Sequence, residues 1–226
     1  MAVIRAWVAE IATLAGHLRV RWRSERPTPA APGQFYLAWA PLNAHPFLRL
    51  PVFPVADAGP EAELWLEPAH PYAALEPGAE LQLAGPLGRS LPWPERTARV
   101  LLVGQTLTHL WPVLTWALTR GWAAAWLWPE VLPADLLDVL PPSVEAARGP
   151  VTPELAEWAD VAILDVPDPA ASARALRHAS PLKLAGTILA FQHPAMPCGF
   201  GGCQGCWVET RRGRRLACVD GPVLPI

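Results

Sequence analysis

All four cysteines of the 226-residue chain lie within one stretch, CGFGGCQGCWVETRRGRRLAC at 198–218. Their spacing is Cys198-x4-Cys203-x2-Cys206, then eleven residues, then Cys218. Two bridged irons need four thiolates, and a C-x4-C-x2-C head with a distant fourth cysteine is the plant-type [2Fe–2S] spacing. Three ligands from one loop can wrap a cluster only if the backbone turns sharply. Gly199, Gly201, Gly202 and Gly205 allow such turns without a Cβ penalty and leave N–H groups free to face the sulfurs, where they tune the potential. The fourth ligand, Cys218, is expected on a strand returning after the Arg-Arg-Gly-Arg-Arg turn. A structural zinc ion is the competing reading, but zinc typically uses two separated C-x2–4-C pairs. A Rieske centre would need two histidines among the ligands, and no His follows Cys198. The expected metal ligands are therefore Cys198, Cys203, Cys206 and Cys218.

Two regions must position this loop. Up to about residue 92 the chain reads as short strands joined by turns: VAEIATLAGHLRVRWRS, FYLAW after a Pro-Gly turn, AELWLEPA and AELQLAG. That rhythm suits a small antiparallel barrel. From about residue 98 strands and helices alternate. RVLLVG, AAAWLW, DVAILDV and GTILAFQ read as strands; THLWPVLTWALTRG, PADLLDVL, TPELAEWA and DPAASARALRHA read as helices. Alternation of this kind implies a mostly parallel α/β sheet. The expected fold is therefore α+β and multidomain: an antiparallel β-barrel over 1–94, a nucleotide-binding-like α/β domain over 95–193, and a small [2Fe–2S] domain over 194–226.

Composition narrows the function classes. A net charge of −2 gives no electrostatic footprint for nucleic acid. The N-terminal stretch is interrupted by Arg5, Glu10, His17 and Arg19, and no apolar run reaches membrane-spanning length. A cytoplasmic protein with no membrane partner is expected, and in a reducing compartment clustered cysteines are metal or redox groups more often than disulfides. The 28 prolines and a single lysine, Lys183, fit short loops and a GC-rich or heat-adapted source. Trp111, Trp116, Trp122, Trp126 and Trp128 read as packing rather than as a binding platform. His109 and His193 single out no specific chemistry. Arg211, Arg212, Arg214 and Arg215 form either a solvated hairpin or a basic rim that could steer an acidic partner.

The tail CGFGGCQGCWVETRRGRRLACVDGPVL resembles the cluster domain of the electron-transfer subunit of class 1B dihydroorotate dehydrogenase. PGQF at 32–35, LRLP at 48–51, EPGAELQLAGPLG at 76–88 and RVLLVG at 99–104 extend that resemblance more thinly upstream. It implies a ferredoxin-reductase-like architecture in which electrons pass from NADH to FAD, through the cluster, to a catalytic flavoprotein subunit in a hetero-oligomer. It also implies FAD contacts at Arg49, Pro51 and Val52 and a dinucleotide contact at Gly104.

The sequence departs from the family at several of these places. The family's Arg-x-Pro-x-Ser reads Arg49-Leu50-Pro51-Val52-Phe53, and a phenyl ring can neither donate nor accept a hydrogen bond. A Gly-Thr pair near the flavin is replaced by Pro68-Ala69. Gly104 is all that remains of a glycine-rich phosphate turn, and a Cys-Gly-Pro near the nicotinamide is replaced by Asp165-Val166-Pro167. Three functions remain open: an electron-transfer subunit with FAD and a cluster, a degenerate relay that keeps the cluster but has lost NADH and FAD, and a scaffold with a structural four-cysteine metal site. NADH oxidation by the isolated chain is expected to be weak or absent.

Overall fold

Alternating burial builds the first lobe. Ile4, Ala6 and Val8 of β1 (Val3–Leu14) point inward between exposed neighbours, and the chain reverses at Ala15-Gly16 into β2 (His17–Ser24). Both turn residues have positive φ, 49° and 69°, as a tight hairpin requires. The computed structural model describes residues 3–41, 48–55, 60–181, 187–210 and 213–226. Strands β3 (Phe35–Trp39), β4 (Leu50–Val52), β5 (Glu61–Leu66) and β6 (Glu80–Leu87) complete an antiparallel sheet in the order β4-β3-β6-β1-β2-β5. A bridge joins the two edges, with the Val55 N–H donating to the Glu63 carbonyl at 2.7 Å, so the sheet closes on itself. Its interior is filled by Trp22, Tyr36, Leu64, Leu81 and Leu83.

The second lobe is a six-stranded sheet. It contains β7 (Arg99–Gly104), α1 (Leu107–Thr119), β8 (Ala123–Trp128), α2 (Ala134–Leu137), β9 (Val144–Arg148), α3 (Pro153–Trp158), β10 (Val161–Asp165), α4 (Pro169–Ala179) and β11 (Ile188–Phe191). Every strand pairing among β7–β11 is parallel, in the order β11-β10-β7-β8-β9. Chain direction along the sheet reverses between β7 and β10, and in open α/β sheets ligands bind at that switch point, beyond the carboxyl ends of the strands. Here those ends are Gly104 and Asp165, which sit opposite one another in register. In α1, Leu107, Leu110, Val113, Leu114 and Ala117 recur at helical spacing and are fully buried.

Two features depart from the sequence expectation. VEAAR carries little strand propensity, yet forms β9 because β8 offers it a complete parallel edge from Val144 to Arg148. In the tail, β12 (Trp207–Thr210) and β13 (Gly213–Leu216) form the expected hairpin, but Cys218 does not lie on the returning strand. It sits on the one-turn helix α5 (Ala217–Asp220), where the Asp220 carboxylate accepts the Leu216 N–H at 3.1 Å. The chain then rejoins the central sheet, with β14 (Val223–Pro225) antiparallel to β11. Arg211 and Arg212 of the arginine group between Cys206 and Cys218 lie outside the described residues, as does Lys183.

The tryptophans pack as expected. Trp126 and Trp128 are buried, Trp93 stacks on Trp116 at 4.9 Å, and the Arg120 guanidinium covers Trp116 at 3.8 Å. Among the described residues no helix is long and apolar enough to cross a membrane.

Candidate metal centre

The structure gathers the four thiols as two pairs. Cys206 and Cys218 are both 1 % exposed and their sulfurs lie 3.1 Å apart. Cys198 and Cys203 form the second pair, nearer the surface, with the Cys203 N–H 3.5 Å from the Cys198 sulfur. The Gly201 N–H faces both Cys198 and Cys218, so the pairs oppose one another across the glycine loop. Further amides point at sulfur: Gly205 N–H at Cys203 (3.4 Å) and Cys218 N–H at Cys206 (3.5 Å). All four thiols are free.

These contacts set the charge each sulfur carries. Burial works against the Cys198 thiolate, but N–H groups of Cys203, Phe200 and Gly201 together with the Cys203 thiol bring its pKa down to about 6. Burial and the neighbouring Cys206 push Cys218 up to about 12. A cationic centre between the pairs would favour both thiolates, so the donor set is complete for a thiolate-bound metal centre. A single tetrahedral ion draws four donors to one point. Among the described residues, the one group of three or more donor atoms converging in that way lies elsewhere in the fold.

The loop is held by close packing. Gly199 has φ 72°, and a Cβ there would come within 2.6 Å of Leu87 and 2.7 Å of Leu37. Both leucines belong to the barrel strands β6 and β3, so the thiol loop rests directly on the first lobe. Cys206, Ala217, Cys218 and Val223 share one apolar core with Phe35, Phe53 and Trp65 of the barrel and with β7, α1, β10 and β11.

The positions that the family resemblance assigns to cofactors are engaged otherwise. Arg49 donates to the Gln82 carbonyl at 2.9 Å and to its side-chain oxygen at 3.4 Å. Pro51 pairs with Leu37 in the sheet, and Val52 faces the barrel interior. Phe53 reaches across to the second lobe, 4.5 Å edge-on to His109, 6.2 Å from Phe191 and 5.8 Å from Phe35. Phe53, His109 and Phe191 therefore pack against one another where the two lobes meet. Pro68-Ala69 lies in an exposed turn. Gly104 has φ 148°, and a Cβ there would run into the Asp165 carbonyl. Its glycine is explained by strand packing.

Sequence reasoning missed one constellation. His109 and His193, 84 residues apart in sequence, meet at Asp165. His109 Nδ1 lies 2.8 Å from Asp165 Oδ2, and His193 Nε2 lies 2.6 Å from Oδ1. Burial would raise the Asp165 carboxyl, but the two imidazoles facing it hold it well below the usual carboxylate range. Nothing in the local spacing signals this meeting; the one hint is that Asp165-Val166-Pro167 stands where the family has Cys-Gly-Pro.

Residues 193–226 match the family model of the iron-sulfur cluster binding domain of dihydroorotate dehydrogenase B. No curated protein matches the sequence. The fold is similar to that of an NADH-dependent reduced ferredoxin–NADP oxidoreductase, with TM-score 0.71 and 16% identity over 97% of this chain and 87% of that one. It is also similar to the ferredoxin reductase of carbazole 1,9a-dioxygenase (TM-score 0.61, 19% identity, 79% of this chain and 66% of that one). An Amycolatopsis cytochrome P450 reductase gives TM-score 0.62 and 21% identity over 81% of this chain and 68% of that one. Residues 193–226 are thus similar to the iron–sulfur cluster binding domain of dihydroorotate dehydrogenase B, and the chain carries them on a ferredoxin-reductase-like fold.

Proposed function

We propose that this chain is an electron-transfer subunit that relays electrons through a [2Fe–2S] cluster on Cys198, Cys203, Cys206 and Cys218. Its partner is a catalytic flavoprotein subunit of the dihydroorotate dehydrogenase type, in a hetero-oligomer. The observation that carries the reading is the pairing of the thiols two and two around the Gly201 amide, within the segment that matches the cluster-domain family. A bound cluster supplies reversible one-electron storage. The chain's own residues do the rest. Cys206 and Cys218 anchor one side in the apolar core and keep water from it, while the amides of Gly201, Cys203 and Gly205 donate to sulfur and stabilise the more negative, reduced state. Cys198 and Cys203 sit on the surface side, flanked by the exposed Phe200 and Trp207, which suits contact with a partner protein.

FAD belongs to this proposal as the family's second cofactor, with Arg49 as its candidate phosphate contact once released from Gln82. One observation favours a second reading, a relay without FAD or NADH: Phe53, His109 and Phe191 pack into the crevice between the lobes. The deciding experiment is an anaerobic preparation with a UV–visible spectrum, followed by acid release and quantitation of iron, sulfide and flavin. Two irons, two sulfides and one FAD per chain would support the flavin-bearing subunit. The same iron and sulfide without flavin would support the relay. Zinc without sulfide would overturn both.

A further inference from the structure

We propose that His109, Asp165 and His193 form a second metal site, one that binds a divalent transition ion of the zinc class and is separate from the cysteine centre. Two imidazoles and one carboxylate are a donor set that suits zinc or ferrous iron, and three protein ligands leave a coordination position open. Their ligand atoms all lie within 4.8 Å of one another. With metal–nitrogen and metal–oxygen bonds of about 2.0–2.2 Å, donors sharing one ion stand roughly 3–4 Å apart, so the widest separation must close by about 1 Å. The structure provides for that movement. Asp165 is fixed, its side chain 4 % exposed at the end of β10 and its backbone in register with Gly104. His193 is half exposed, on the segment leaving β11, and free to adjust.

The placement of His109 adds to the case. It lies in the first turn of α1, so the helix backbone fixes where its side chain starts. The helix has no side-chain cap from Thr106. Phe53 meets the ring edge-on at 4.5 Å and Phe191 packs at 5.0 Å, which fixes its plane. Glu67 and His70 of the barrel are close enough to interact electrostatically with His109, and Glu67 also with Asp165, so an anionic carboxylate backs the site from the first lobe. The site stands at the switch point of the sheet, where this class of fold ordinarily receives a ligand.

The test uses protein whose cluster loading has been verified by iron and sulfide, so that the cysteines are occupied. Equilibrium dialysis against zinc, with bound metal counted by mass spectrometry, should give one zinc per chain beyond the iron. His193→Ala should weaken the apparent affinity at least roughly tenfold. His178→Ala, an exposed histidine on α4, should leave it unchanged. Zinc-edge X-ray absorption on the parent protein gives an answer that does not depend on any variant: a first shell of nitrogen and oxygen supports the site. A sulfur shell, binding undiminished by His193→Ala, or no zinc retained would overturn the proposal. Because the assay reads zinc on cluster-loaded protein, failure here would leave the electron-transfer reading standing.

Discussion

Cys206 and Cys203 are both ligands in the proposed centre, yet their surroundings predict different responses to the same change. Cys206 is 1 % exposed and part of the central core, whereas Cys203 is exposed. Cys206→Ser puts a hydroxyl into an apolar site and should cost about 1–3 kcal/mol in the cluster-free protein, while Cys203→Ser should cost nearly nothing there. Thermal unfolding of the two apo variants reads the difference, and equal losses would contradict the burial pattern. His70 offers a pH-dependent test at the same scale. Burial lowers its pKa to about 4, and its Nδ1 accepts the Tyr72 N–H at 3.1 Å. The unfolded histidine takes up its proton near pH 6.5 while the folded one remains neutral down to about pH 4, so stability should fall as pH drops through that window. His17 has a raised pKa and opposes this trend. The isolating comparison is therefore wild type against His70→Asn, whose melting temperature should decline less steeply between pH 6.5 and 4.

Among the elements, β14 is the one whose role the tail's sequence concealed. Its cysteine spacing states that a centre is present, but not that the chain afterwards completes the neighbouring sheet. Val223 and Leu224 are buried against β11 and supply its outer hydrogen-bonding edge. Val223→Asp should bury an unpaired charge, lower the melting temperature sharply and reduce iron retained after purification. Retention of full iron content in a folded Val223→Asp protein would show that the thiol loop does not depend on the sheet. The elements of the second lobe were largely legible, since Arg99–Gly104 and Ala123–Trp128 are apolar runs between a turn and a helix. β9 was not, because Glu145, Ala146 and Ala147 follow no strand pattern and are held by pairing with β8 alone.

At the scale of the molecule, one apolar core runs from the barrel through the crevice into the thiol loop. Phe53 is its crossing point, touching Phe35 in the first lobe and His109 and Phe191 in the second. Phe53→Ala should cost about 3–5 kcal/mol and do so for both lobes at once. Far-UV circular dichroism and tryptophan fluorescence should report one coincident transition in the wild type, and separate transitions would mean that the lobes are energetically independent.

The cysteine spacing by itself pointed to the proposed donor set, because residues of one short loop are local in sequence and their glycines are local as well. Alternating and helical periodicities likewise marked an antiparallel lobe followed by an α/β lobe, since burial on one face leaves a period in the residues. Only the tertiary structure decided what stands between those lobes. His109, Asp165 and His193 come from the start of a helix, the end of a strand and the segment after another strand, and parallel pairing of β7, β10 and β11 is what draws them together. The place of Cys218 on a helical turn and the return of β14 to the sheet are decided in the same way, by long-range packing that no local pattern encodes.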